Sequence, residues 1–253
     1  MLAGFDPSEL TPLFWLLLTL AAFGIGITKS GFSGVSLVHV LVFAHLFGAR
    51  ASTGVVLPML IAGDTMAMLM FGQHANWNYV RRMLPPAIIG VVIGWILMNR
   101  INDLWYRPTI GLIIFGLASL QIGRMLREEW FARMPHSTLF AWCMGGLVGI
   151  TTMLANAAGP VFGLFLIAIG LPKKEFVGTA AWFFLLLNLF KIPFSWNLGL
   201  IRTDTLALNA MLLIPIFLGL KTGGTIVERI QQRWFDLTII LLSGLAAVQL
   251  IVF

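Results

Sequence analysis

Apolar segments recur along almost the whole chain, and no other feature restricts the fold as strongly. Hydrophobic residues make up 59% of the sequence and charged residues only 10%, whereas soluble domains carry about 25% charged residues. A soluble core of 253 residues would leave much of this apolar surface in water. The sequence therefore predicts an all-α, polytopic membrane protein. The segments lie at about 12–28, 35–47, 54–72, 83–98, 108–124, 138–155, 158–170, 177–195, 205–222 and 234–252.

The spacing of these segments leaves no room for a separate soluble domain, so residues 1–253 are expected to form a single transmembrane domain. The first segment lacks a basic region before it and a small-residue cleavage site after it, and we do not expect it to be a cleaved signal peptide. Cys143, the single cysteine, excludes an intramolecular disulfide and has no partner for a metal motif. We expect neither a metal nor another cofactor.

Two of the segments, 35–47 and 158–170, are too short to cross the hydrocarbon core, which takes a helix of roughly 20 residues. Each is joined to the segment before it by a stretch of small and polar residues. These stretches read ITKSGFSG at residues 27–34 and TTMLANAAGP at residues 151–160. Each pair of segments is therefore predicted to be a broken helix that either re-enters the membrane or crosses it twice.

The second half of the chain repeats the first half at offsets that run from 123 to 129 residues. Gly26-Ile27-Thr28 matches Gly149-Ile150-Thr151, and Gly54 matches Gly178. Pro86, Gly90 and Gly94 match Pro215, Gly219 and Gly223. Arg100 and Trp105 match Arg229 and Trp234, and the stretch from Gly116 to Gln121 matches that from Gly244 to Gln249. Internal repeats are typical of transporter folds. We predict repeat one at about 10–127 and repeat two at about 134–253, each with a broken or re-entrant helix pair followed by three transmembrane helices. The Pro-Gly-Gly sets predict close helix packing through small residues.

Basic residues in the loops distinguish two arrangements of the helix pairs. If each pair ends on the side where it began and the N-terminus lies outside, nine basic residues fall inside and four outside. The inside set is Arg81, Arg82, Arg124, Arg127, Arg133, Lys173, Lys174, Arg229 and Arg233, and the outside set is Arg50, Arg100, Arg107 and Arg202. If each pair were one long crossing, the same residues would divide seven against six, without the bias of the positive-inside rule. The count predicts inverted repeats, and it attributes the net charge of +6 to loops that orient helices, not to nucleic-acid binding.

The two polar stretches are predicted to meet near the middle of the membrane and to form an anion site. Irregular backbone at membrane depth is tolerated where it is buried in protein or lines a wet cavity, and N–H groups at the start of a helix bind anions. The first stretch contributes the cation of Lys29 together with Ser30, Gly31, Ser33 and Gly34. The second contributes Thr151, Thr152 and Asn156 and no charge. One cation among neutral donors suits a small oxyanion better than a metal cation, which prefers carboxylates and carbonyls.

Three charged residues inside apolar segments leave alternatives open. Lys29 would be a solvated loop lysine if the first pair made two full crossings. Asp64 is a candidate for carrying a coupling proton, and it is equally a candidate for neutralising Lys29 or Lys191. Its repeat counterpart is Asn188, at an offset of 124. Lys191 is either a second cationic ligand of the anion or a lysine that reaches the membrane surface.

His39 and His45 lie on the second arm of the first helix pair. Their spacing of six residues places them on different faces of a helix. No carboxylate stands at ligand spacing from either, so the sequence favours packing or hydrogen bonding over a metal site for both.

The chain resembles the sulfite exporter TauE/SafE family, also called the toluene-sulfonate uptake permease family. The resemblance covers nearly the whole chain, and it is carried by the stretches GIGITKSGFSGVSL, GQHANWNYVRRMLPPAIIGVVIGWIL, GGLVGITTMLANAAGPVFGLFLIAIGLPKKEFVGTAAWFFLLLNLFKIPFS and LGLIRTDTLALNAMLLIPIFLGLKTGG. It implies an integral membrane transporter of sulfite, sulfonates or related sulfur-containing anions. We expect a secondary transporter in a bacterial inner membrane, with both termini periplasmic, alternating access between the repeats and proton coupling through Asp64.

A passive anion channel is the first alternative, and the inverted repeat with its lone Asp64 favours a carrier over it. The second is a rhomboid-like intramembrane protease, since GFSG at 31–34 and AHLFG at 44–48 resemble its serine and histidine motifs. Ser33 and His45 are separated by twelve residues, mostly along one helix, which places them about 15 Å apart and too far for direct contact. We therefore do not expect an enzyme. The expected partners are a small sulfur-containing anion and the lipid bilayer, with a homodimer left open and no nucleic acid.

Overall fold

The computed structural model describes residues 11–32, 35–127 and 137–227 of the chain. Every regular element in these ranges is helical, which confirms the all-α prediction. The helices are α1 (Pro12–Lys29), α2 (Ser36–Phe47), α3 (Ala49–Phe71), α4 (Trp77–Arg100), α5 (Asp103–Leu126), α6 (Thr138–Ala155), α7 (Gly159–Ala168), α8 (Lys173–Asn197), α9 (Leu206–Met211) and α10 (Leu213–Val227), with 3-10 turns at Gly72–His74 and Thr203–Thr205. Ser33, Gly34, the apolar segment at 234–252 and the outer ends of both repeats lie outside the described residues.

Polar caps explain where several helices begin. Thr11, Asn102 and Ser137 each accept a hydrogen bond on the side chain from the backbone N–H three residues later, at 3.1–3.2 Å. Such a bond satisfies one of the N–H groups that the first turn of a helix leaves without a partner. The caps of Thr11 and Ser137 start α1 and α6, the first helices of the two repeats.

Five helices among the described residues are long and apolar enough to cross a membrane, which supports a multi-pass membrane protein. The segment at 205–222 was expected to form one helix, but it forms two, α9 and α10, with a bend of 44° between them. Together these two helices would make a sixth crossing. Pro215, in the first turn of α10, contributes to the break. A proline in that place cannot donate to the carbonyl of Met211, and its ring collides with that carbonyl in a continuous helix.

Both predicted helix breaks are present. The first follows Lys29 at the end of α1, where Gly31 has a φ of 116°, a value that residues with a Cβ rarely adopt. The second follows Ala155 at the end of α6, where Asn156 caps the helix in the left-handed conformation with a φ of 53°. The second arms, α2 with 12 residues and α7 with 10, are about 18 and 15 Å long, well short of a hydrocarbon core about 30 Å thick.

Two glycine-mediated helix pairs form the flanks of the fold. Helix α1 packs against α10, and α6 packs against α4. A Cβ on Gly26 would collide with the backbone of α10 at Ile216, and a Cβ on Gly149 would collide with the backbone of α4 at Ala87. On the partner helices, a Cβ on Gly219 of α10 would collide with the backbone of α1, and a Cβ on Gly90 of α4 would collide with the backbone of α6. The predicted small-residue packing is therefore confirmed. In each pair, a helix from the first half of the chain packs against a helix from the second half.

Helices α3 and α8 run in opposite directions across the centre of the molecule. At one end Gly54 lies against Leu200, just beyond the end of α8, and at the other end Gly178 lies against Phe71. Between these ends, Asn188 of α8 donates a hydrogen bond to Asp64 of α3 at 2.8 Å. Asp64 and Asn188, which the sequence predicts to be equivalent at an offset of 124, therefore meet at the centre of the antiparallel pair.

We predict that Gly149→Ala destabilises the protein by about 1–3 kcal/mol, because the new Cβ meets helix backbone, which cannot turn aside as a side chain does. Gly26→Ala, at the equivalent place in repeat one, is expected to have a loss of similar size. Thermal unfolding in detergent, followed by tryptophan fluorescence, measures both. Gly116→Ala is the control, since its Cβ would meet nothing within 4 Å, and equal stability of all three variants would contradict the packing.

Candidate functional site

A cavity of about 60 Å³ lies between the two helix breaks and the central helices α3 and α8. Its lining is partly polar and partly apolar. The polar side chains are Thr28, Lys29, Ser36, His39, Asp64, Thr152, Asn156 and Asn188, and the apolar ones include Leu60, Phe162, Phe176, Val177 and Phe184. Side chains from α1, α2, α3, α6, α7 and α8 therefore converge on one cavity.

Lys29 brings a positive charge into this cavity from the last position of α1. Its ammonium lies 2.6 Å from Oδ1 of Asp64, and the two side chains are 11% and 0% exposed. The ammonium also lies 5.2 Å from the centroid of the Phe184 ring, a distance at which an aromatic face attracts a cation. Lys29 is therefore a paired residue that is mostly shielded from solvent, and not the solvated loop lysine of the alternative interpretation.

Asp64 is fully buried near the middle of α3, and both of its oxygens have contacts. Oδ1 faces Lys29, and Oδ2 accepts the hydrogen bond from Asn188. A buried carboxylate needs such partners, because removing the charge from water is expensive unless other groups replace the water. Of the two roles that the sequence left open for Asp64, pairing with Lys29 is the one present in the structure.

Lys191 extends the polar contacts from α8 to the second helix break. Its ammonium donates to the backbone oxygen of Thr152 at 2.9 Å, to Oγ1 of Thr152 at 3.1 Å and to Oδ1 of Asn156 at 2.6 Å, and it lies 3.4 Å from Oδ1 of Asn188. Asn156 in turn donates to the backbone oxygen of Thr53 at 2.9 Å. A continuous polar chain thus joins the first break to the second through α3 and α8.

His39 also lines the cavity, although the sequence favoured packing or hydrogen bonding for it. The side chain is 2% exposed, and neither ring nitrogen has a hydrogen-bond partner among the described residues. A buried polar group without a partner costs about 1–3 kcal/mol, so an imidazole facing a cavity is prepared to bond to whatever fills that cavity. The sequence contains one signal for this position of His39. It lies three residues after Ser36, on the same face of α2, and Ser36 begins the helix directly after the break.

The structure brings some of the predicted site residues to the cavity and not others. Lys29, Gly31, Thr152, Asn156 and Asp64 line it. Ser30, Thr151 and Lys191 do not line it: the two hydroxyls donate to backbone oxygens of their own helices, at 2.7 Å in each case. Ser33 and Gly34 lie outside the described residues, so their predicted role and the protease alternative are not addressed by the geometry.

A second ion pair joins Arg202 and Asp204, between α8 and α9. Arg202 bonds to the carboxylate of Asp204 through both Nε and Nη2. Neither residue lines the cavity, so we assign the pair to the support of the loop.

Comparison with known proteins identifies one family. The family model described as "Sulfite exporter TauE/SafE" matches residues 18–250 of the 253-residue chain. No curated protein and no solved structure matches. Within the described ranges, no three His, Cys, Asp or Glu side chains form a group that could hold a metal ion.

We predict that His39→Leu stabilises the protein by about 1–3 kcal/mol, because it removes a buried polar group that has no partner and replaces it with an apolar one of similar size. Thermal unfolding in detergent, without any added sulfur anion, measures the change. His45→Leu on the exposed side of the same helix is the control and is expected to shift stability by less than about 0.5 kcal/mol. A loss of stability in His39→Leu would mean that the imidazole has a structural partner.

Proposed function

The chain belongs to the sulfite exporter TauE/SafE family, and we propose that it is a secondary transporter of a small sulfur-containing anion. The family is one of membrane transporters of sulfite or related anions, which supports a transport role and not an enzymatic one. The observation that carries the proposal is the ammonium of Lys29, paired with Asp64, at a cavity whose other polar lining groups are neutral. The proposed partners are that anion and the lipid bilayer. Assembly as a homodimer is a further proposal, which crosslinking in membranes would test.

The charges around the cavity support an anionic substrate. Lys29 and Asp64 cancel each other, and Lys191 adds a positive charge behind the cavity wall. An anion that enters would lie beside an ammonium that compensates its charge, and burying a compensated charge is far less costly than burying a lone one. Lys29 supplies the direct contact, and His39, Thr152 and Asn156 are the neutral groups within the same walls.

The size of the cavity supports a small anion. One water needs about 10–15 Å³ of space measured in this way, so about 60 Å³ corresponds to four to six water-sized groups. Sulfite has four heavy atoms. A sulfonate with a longer chain, such as taurine or sulfoacetate, would require the walls to move apart, and an aromatic sulfonate would require more movement still.

We propose that the repeats are inverted and expose the cavity alternately to the two sides. Three observations support this arrangement. The equivalent helices α3 and α8 are antiparallel, α1 and α6 carry equivalent glycines into equivalent partners, and the equivalent residues Asp64 and Asn188 touch each other. With the N-terminus outside, the positive-inside rule gives a bacterial inner-membrane protein with both termini periplasmic.

Coupling to protons is proposed to run through Asp64. An anion that takes the ammonium of Lys29 leaves the Asp64 carboxylate beside it, and two negative charges about 5 Å apart repel by about 3 kcal/mol at an effective dielectric constant of about 20. A proton on Asp64 removes this repulsion and leaves Oδ2 able to accept from Asn188. Anion and proton would then bind together and move in the same direction.

Sulfite flux into proteoliposomes tests the proposal. We expect saturable sulfite uptake, with thiosulfate next and with sulfoacetate and taurine slower because of their size. Lys29→Met is expected to lower sulfite uptake by at least about tenfold, because a hydrogen bond to a charged group contributes about 1.5–3 kcal/mol. His39→Leu is expected to lower uptake although it folds stably.

Matched controls separate these effects from damage to the fold. Lys173→Met, on an exposed lysine at the start of α8, and His45→Leu are expected to retain uptake. Sulfite loaded inside the vesicles should accelerate uptake if the protein is a carrier, whereas a channel would show no acceleration. Uptake equal to that of protein-free liposomes for all four anions, or full uptake by Lys29→Met, would contradict the assignment.

A further inference from the structure

The ammonium of Lys191 sits among oxygen atoms and is buried away from both water and the cavity. The side chain is 2% exposed. Four oxygens surround the ammonium at 2.6–3.4 Å, and they come from Thr152, Asn156 and Asn188. An ammonium has three protons to donate, so its donors are fully used by these protein oxygens.

The set of oxygens is the kind that binds a monovalent metal ion. It consists of one backbone carbonyl, one hydroxyl and two amide carbonyls, all neutral and all oxygen, and alkali and other hard cations take such ligands in place of their water shell. No carboxylate touches the ammonium among the described residues, so the set lacks the charge that a divalent ion would favour.

The position of the oxygens in the fold also favours a cation. Thr152 lies in the last turn of α6, and Asn156 caps that helix. The carboxyl end of a helix carries partial negative charge. The Thr152 carbonyl accepts the N–H of Asn156 at 3.0 Å, and its second lone pair is available to the ammonium. Helix ends at a break near the middle of the membrane are the places where transporters hold coupling cations.

We propose that Lys191 is a tethered cation that fills a monovalent-cation site in this protein. The native chain carries its own positive charge at the second helix break and takes up no sodium or potassium ion there. Shortening Lys191 opens the oxygen cage, and a free alkali ion then occupies it. This inference does not depend on which anion the protein transports, because the cage lies behind the cavity wall.

Lys29 and Lys191 have different surroundings and therefore different roles. Its ammonium contacts a carboxylate and an aromatic ring and lines the cavity, so an incoming anion reaches it. Lys191 contacts neutral oxygens alone among the described residues and does not line the cavity. The first lysine therefore meets the ligand, whereas the second holds the helix break together.

Thermal unfolding of Lys191→Ala in sodium, potassium and choline chloride at equal ionic strength tests the proposal. The variant is expected to be less stable than the wild type in choline, and its Tm is expected to rise saturably with sodium or potassium, since an ion that binds only the folded state stabilises it. The wild type should unfold at the same temperature in all three salts. No anion substrate is present, so the result is independent of the transport assay.

Two further variants make the test decisive. Lys191→Met fills the space with an apolar chain, and it should be destabilised without any response to sodium or potassium. Lys191→Ser adds a hydroxyl to the cage and should respond as Lys191→Ala does. The proposal is overturned if Lys191→Ala and Lys191→Ser unfold at the same temperature in all three salts, if the wild type responds as strongly as they do, or if neither variant folds in any salt.

Discussion

The ion pair between Lys29 and Asp64 is the interaction on which the rest of this site depends. A lone charge in a membrane interior is very costly, so Lys29 can remain at the tip of α1 because a carboxylate lies 2.6 Å away. The carboxylate in turn is held by Asn188, and Lys191 connects Asn188 to the second helix break. The paired helices α3 and α8, together with the glycine contacts of α1 and α6, hold these groups close together around the cavity.

Most of the fold can be predicted from the apolar segments and the glycine positions of the sequence. The apolar segments predict the helices because a chain in lipid must satisfy its backbone hydrogen bonds internally. Glycines at 31, 90 and 219 predict a sharp turn and two close helix contacts, all of which are present. The bend before Pro215 is not predictable from the sequence, because a proline in an apolar segment does not always break the helix. Pro58 and Pro193, for example, lie inside continuous helices. Which proline breaks a helix depends on its tertiary neighbours.

The site could be predicted only in part, for a physical reason. Sequence spacing indicates which residues lie near a helix break, but not the direction in which each side chain points. Ser30 and Thr151 stand in the predicted stretches, and their hydroxyls bond back to their own helices. His39 lies one turn beyond the break and still reaches the cavity. The partners of Asp64 and Lys191 are distant in sequence, and the packing of α3 against α8 and α6 decides them.

The central claim is that an anion takes Lys29 from Asp64 and that Asp64 then binds a proton. Infrared difference spectroscopy of the purified protein, with and without sulfite, measures this step directly, because a protonated carboxyl has a carbonyl stretch that a carboxylate lacks. The account predicts that sulfite produces this band in the wild type and that Asp64→Asn abolishes it. Sulfite binding by the wild type without the band would contradict the account.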